Sequence, residues 1–131
     1  MKYAKAISTP LAPAPSGIYS QAVVAPPFIF LSGQGPFEPA TRELVQGDTE
    51  AQLRAVMKNL EAVADAAGSS LRDAVRFGVY LSNLAEVGIV NKVFEEVFDP
   101  PYPARTTIQS TLTRFNVEVD CVLYMTETRG N

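Results

Sequence analysis

The chain has 131 residues, 47% of them hydrophobic, with 11 Lys plus Arg against 14 Asp plus Glu, so the net charge is −3. That is one well-packed domain's worth of chain, and the acidic balance supplies no basic face for nucleic acid or an anionic membrane. Histidine is absent and Cys121 is the lone cysteine, which excludes His-based triads, the usual zinc sites and an intrachain disulfide. Pro10, Pro13 and Pro15 interrupt what would have to be the apolar core of a signal peptide. No stretch approaches the roughly 18 apolar residues of a membrane span, so a cytoplasmic protein is expected.

Residues before Thr9 read as a short first strand, followed by a Pro/Ala-rich loop over Thr9–Ser16. Tyr19–Ala25 and Phe28–Ser32 have β character and are separated by Pro26 and Pro27. Gly33–Gly47, with Pro36 and Pro39, reads as a loop or an irregular hairpin. Thr49 with Gln52 forms a capping-box signature, and Leu53, Val56, Met57, Leu60, Val63, Ala64 and Ala67 recur at helical spacing. Gly68 sits where this long helix should be capped. Ala74–Leu81 alternates, with Val75, Phe77, Val79 and Leu81 on one side, and predicts a strand. Val87, Val90, Phe94, Val97 and Phe98 predict a second helix, stopped by Asp99-Pro100-Pro101. Ala104–Thr111 and Val117–Thr128 predict two last strands joined by a turn near Thr113–Asn116.

The order is β-β-β-α-β-α-β-β, an α+β layer with both helices on one sheet face. The uncovered face would carry Tyr80, Val122 and Tyr124. It is either solvated with scattered apolar residues or packed against another sheet in a homo-oligomer.

The last strands hold the chemistry. Val117, Val119, Cys121, Leu123 and Met125 lie on one side, and Glu118 and Asp120 on the other. Cys121 shares the apolar parity and reads as buried rather than reactive. Arg105, Thr107 and Gln109 are expected on the same face as Glu118 and Asp120. In a hairpin turning near 113–114, Arg105 faces position 122 and Glu118 faces position 109, about 14 Å apart at strand rise. An Arg there pairs either with Asp120, a structural bridge, or with a ligand carboxylate, which makes the face a binding site.

These residues also carry a resemblance. Tyr-Pro-Ala-Arg-Thr-Thr at 102–107 followed by Val-Glu-Val-Asp at 117–120 resembles the C-terminal signature of the RidA/YjgF family. Gly-Ile-Tyr-Ser-Gln-Ala at 17–22 is similar to its first motif, and Leu-Ser-Gly-Gln-Gly-Pro at 31–36 to its second. Asn91, in Val-Asn-Lys-Val-Phe-Glu, matches a further position. The resemblance implies a single chorismate-mutase-like domain over residues 1–131, assembled as a homotrimer with ligand clefts between subunits. It implies cofactor-independent hydrolysis of reactive enamines and imines, such as 2-aminoacrylate, to 2-keto acids and ammonia. By position, Arg105 would clamp the substrate carboxylate and Glu118 would orient or activate water. Tyr19 would wall the pocket, Ser32, Gly33 and Asn91 would line it, and the Thr107 N–H would be a further donor. An iminium carbon is already electrophilic, so this set suffices without histidine, metal or thiol.

Four departures stand out. Thr107 takes a place where Cys is frequent, and Leu-Thr-Arg-Phe-Asn at 112–116 lacks the usual Leu-Pro-x-Gly-like turn. Gly35 replaces a branched apolar residue, and Asp120 replaces a Glu. The leading expectation is therefore an enamine/imine deaminase of small carboxylates, within which an aminomuconate-type substrate is one option. The alternative is a trimeric ligand-binding, regulatory or chaperone-like protein without turnover. An endoribonuclease ranks third, because no basic stripe is interleaved with aromatics.

Overall fold

The computed structural model describes residues 4–126. Its elements are β1 (Lys5–Ile7), β2 (Ala22–Ala25), β3 (Phe28–Gln34), α1 (Thr49–Ala66), β4 (Ala74–Leu81), α2 (Val87–Val97), β5 (Ala104–Gln109) and β6 (Val117–Tyr124). The expected order of elements holds. Residues 127 and 128 of the last expected strand lie outside the described residues. The segment 33–47 is an irregular hairpin closed by a bridge between Phe37 and Leu44.

Helix α1 buries its periodic stripe, Leu53, Val56, Met57, Leu60, Val63 and Ala64, against the sheet. Its C-terminus is a Schellman motif: Ser69 N–H donates to Ala64 O, Gly68 N–H donates to Asp65 O, and Gly68 has φ +78°. The N-terminus differs from the expected capping box. Asp48 is the cap, its Oδ1 accepting from Ala51 N–H at 2.9 Å. Thr49 Oγ1 instead donates to Glu86 Oε1, and Gln52 Oε1 accepts from Asn116 N–H at 2.8 Å. A short polar pair three residues apart can serve tertiary partners as readily as the helix end. Helix α2 is tied to the sheet by Phe77, Phe94 and Phe98, whose ring centroids lie 5.0 to 5.4 Å apart. Phe77 is fully buried, which is worth about 1.5–3 kcal/mol for such a side chain.

The mixed six-stranded sheet runs β1-β2-β3-β6-β4-β5, with β4 and β5 parallel and the other pairs antiparallel. This overturns the expected hairpin of the last two strands, because β4 lies between them. β4 and β6 each bury one whole apolar side under the helices, so they pair in the interior; β5, with Ala104, Thr106, Ile108 and Gln109 exposed, takes the edge. Ser110 N–H donates to Leu81 O and Ser82 N–H to Asn116 O, so the link 110–116 brackets the end of β4. A second correction concerns Val75. The register shifts between Ala74 and Arg76, a β-bulge that leaves Val75 exposed and off the core side.

Both helices lie on one face. The open face presents Phe28, Phe30, Ile108 and Tyr124 as exposed large apolar side chains, with Tyr124 edge-on to Phe28 at 5.6 Å.

Candidate functional site

Register decides where the chemistry-bearing side chains go. Arg105 is level with Phe77, and Thr107 with Val79, both buried on the helix side. Glu118 is level with Tyr80, and Asp120 with Gly78, on the open side. Paired residues share a face, so Arg105 and Thr107 point away from the face that carries Glu118 and Asp120. The expected common face is thereby corrected, and an Arg105–Asp120 bridge within the chain is excluded. The seven candidate residues fall into two groups.

The first group surrounds a cleft of about 240 Å³ lined by Tyr19, Gly33 and Glu118. Glu118 is half-buried and lies across Gly33, where a Cβ would come within 2.6 Å of its Oε2. Residue 33 must be glycine for the carboxylate to rest there. Burial, followed by the negative charge of Asp120, raises the Glu118 pKa above the ordinary 4.5. Asp120 itself accepts from Tyr80 OH at 2.9 Å and packs over Gly78, where a Cβ would approach its Oδ1 to 2.5 Å. Tyr19 is exposed at the rim, and its hydroxyl accepts from Ser16 N–H at 3.2 Å. Ser32 is not among the lining side chains: its Oγ donates to Ser20 O at 2.7 Å and its N–H to Gln21 O. Both bonds tie β3 to the segment just before β2.

Several lining residues escaped the sequence reading. Gln21 is buried; its Nε2 donates to the carbonyls of Thr9, Ala12 and Pro13, and its Oε1 accepts from Thr9 N–H. It fixes the loop that brings Pro13 and Ala14 to the cleft. A buried polar residue inside the 17–22 motif was the available signal. Arg42, Arg114, Phe37 and Phe115 also line the cleft. Arg114 and Phe115 sit in the turn whose sequence departs from the family pattern.

The second group is at the β5 edge. Arg105 Nη2 donates to Asn91 Oδ1 on α2 at 2.7 Å, and its guanidinium carbon lies 5.3 Å from the centre of the Phe94 ring. The group is thus held by one acceptor and one ring face, which leaves most of its fork of donors unused. Thr107 Oγ1 is buried with no hydrogen-bond partner among the described residues. Such an atom costs about 1–3 kcal/mol unless something else satisfies it.

Cys121 is 2% exposed, and desolvation leads the causes that push its thiol far above the ordinary range. It is packing, as expected. Among the described residues, no group of three or more Asp, Glu or Cys side chains is placed to hold a metal ion, and no helix is long and apolar enough to cross a membrane.

Residues 9–125 match the family model described as Endoribonuclease L-PSP. The chain belongs to the RidA/YjgF family. A relative from Dermatophagoides farinae, named 2-iminobutanoate/2-iminopropanoate deaminase, is 38% identical over 102 residues, 78% of this chain and 80% of its own. The crystal structure of RidA from the Antarctic bacterium Psychrobacter sp. PAMC 21119 superposes with a TM-score of 0.86 at 41% identity, covering 92% of this chain and 99% of that one. The structure of E. coli TdcF with bound serine gives 0.85 at 31% identity over 93% and 99%. The chorismate-mutase-like fold expected from the motifs is the fold of these RidA neighbours.

Proposed function

We propose that the chain is a cofactor-independent hydrolase of small imine and enamine carboxylates, working in clefts completed by a second copy within a homotrimer. One observation carries this reading: the split between Arg105 and Glu118. The register puts them three residues and two strands apart, roughly 14 Å, on opposite faces of the sheet. A three-carbon acid cannot touch both within one chain. Across a symmetric interface it can, because one copy offers its β5 edge and the other its cleft. The exposed apolar side chains of the open face and the unpartnered Thr107 hydroxyl both fit a surface that a neighbour covers. The deaminase name of one relative and the serine, a small carboxylate, held by another support the substrate class.

In such a cleft Arg105 clamps the carboxylate through the N–H groups that Asn91 leaves open. The enamine takes a proton on its terminal carbon and becomes an iminium. Water adds to the C=N carbon, and the C–N bond then breaks to release ammonia and the 2-keto acid. No electrons are transferred, so the step asks only for positioning and proton handling. Glu118, with its raised pKa, can hold a proton for the first step and accept one from water in the second.

The test couples the protein to a pyridoxal-phosphate dehydratase acting on serine. Wild type should accelerate release of pyruvate and ammonia above the uncatalysed rate. Arg105→Ala and Glu118→Ala should each be inactive, and mixed oligomers of the two should regain part of the activity. Absence of recovery after proven subunit exchange would place the whole site within one chain. Absence of acceleration by wild type would leave a binding protein.

A further inference from the structure

The cleft holds more positive charge than a monocarboxylate needs. Arg42 and Arg114 both line it beside Glu118. Neither guanidinium has a carboxylate partner among the described residues, in contrast to Arg54 and Lys92, which pair with Glu50 and Glu96. In a chain of net charge −3, two unpaired arginines converging on one concavity run against the overall balance.

Their setting is built. The Arg114 guanidinium carbon lies 5.3 Å from the centre of the Phe37 ring, and Phe37 meets Phe115 edge-on at 5.4 Å. A guanidinium over the face of an aromatic shelf keeps its in-plane donors free, and Arg114 is exposed. The shelf is anchored from α1: Asn59 Nδ2 donates to Phe37 O at 2.9 Å, and Gln52 Oε1 accepts from Asn116 N–H at 2.8 Å. Gly35 makes room for it, since a Cβ there would come within 2.7 Å of the Phe37 ring. Arg42 is exposed in the same hairpin as Phe37 and has φ 63°, a left-handed backbone that costs a non-glycine residue about 1–2 kcal/mol.

We infer that the cleft recognises a second anionic group on its substrate, so that the preferred class is the imine or enamine of a short dicarboxylic acid. Arg114 holds the distal carboxylate and Arg42 assists from the hairpin that carries Phe37. The inference rests on the proposed reading for the first carboxylate and the reacting carbon, and adds the identity of the far end.

The experiment compares imines generated in situ by a flavin oxidase from alanine and from aspartate, with 2-keto acid formation as the readout. Wild type should favour the aspartate-derived imine in kcat/KM by about tenfold or more, the worth of one charge-assisted fork. Arg114→Leu should collapse that ratio, Arg114→Lys should keep part of it, and Arg72→Leu, an exposed arginine outside the cleft, should keep it whole. In parallel, calorimetry with two inert acids, malate and lactate, should show tighter binding of malate to wild type and no preference in Arg114→Leu. Equal handling of both imines with equal affinity for both acids would overturn the inference and leave the deaminase reading standing. Failure to turn over either imine, with the malate preference intact and dependent on Arg114, would overturn the deaminase reading and leave the dicarboxylate site. A malate preference that survives Arg114→Leu would remove Arg114 from the site.

Discussion

The cleft around Glu118 and the β5 edge around Arg105 solve opposite problems. At the cleft, concavity comes from the chain itself: Gln21 pins the 9–15 loop, Asn59 and Gln52 pin two more, and Gly33 yields its side-chain space to a carboxylate. At the β5 edge the side chains are pre-aimed with nothing to enclose. Arg105 is oriented by Asn91 and Phe94, and Thr107 hides a hydroxyl with no partner among the described residues. One region is a finished wall and the other a presented group. In the proposed assembly, half a site on each of two surfaces would give a small protein a shaped cleft without a larger domain to build it.

The sharpest way to break this contrast is at the presented group. Arg105→Lys keeps the charge and loses the planar fork, so deaminase turnover should drop by about two orders of magnitude or more with the melting temperature little changed. Wild-type turnover in that variant would remove Arg105 from the reaction. At the finished wall, Gly33→Ala should displace the Glu118 carboxylate, because its Oε2 occupies the space of the new methyl. A shift of about 1 Å in a catalytic group costs about a hundredfold, so kcat should fall by that order while folding persists. Full activity in Gly33→Ala would show that the position of Glu118 is immaterial.

The buried side of β6, beneath the cleft, serves as the control. Cys121→Ser puts a hydroxyl into the apolar layer and should cost about 1–3 kcal/mol of stability with activity per folded molecule retained. Lost activity at an unchanged melting temperature would make the thiol functional.

The smallest effect concerns pH. For an imine substrate, which needs no protonation at carbon, Glu118 must be ionised to activate water, so kcat/KM should fall on acidification with a midpoint above the ordinary 4.5. Asp120→Asn removes the neighbouring charge that helps raise that pKa, so the midpoint should move down. The same group links to folding. A carboxyl whose pKa is higher folded than unfolded lowers stability as pH rises from about the ordinary 4.5 through the raised value, and Asp120→Asn should flatten that slope. An acid limb unmoved by Asp120→Asn would assign it to another group.

Much of this was written in the order of residues. The stripe from Leu53 to Ala67, with Gly68 after it, dictated a helix and its terminator, because a 3.6-residue period has one way to bury. The parity of Val117, Val119, Cys121 and Leu123 dictated which side of β6 is core. The motifs around Tyr19, Ser32, Arg105 and Glu118 dictated the family. Gln52 was visible as a residue and invisible as a tether, since its partner Asn116 lies 64 positions away. What only the tertiary structure decided is which face each of Arg105 and Glu118 takes. Alternation labels two sides within a strand, and says nothing about which strand lies beside it. With β4 between β5 and β6, each pairing sets its own parity, level with Phe77 for Arg105 and with Tyr80 for Glu118. The two groups therefore part to opposite faces, because a strand's partners are chosen by burial of the whole sheet and not by the nearest turn.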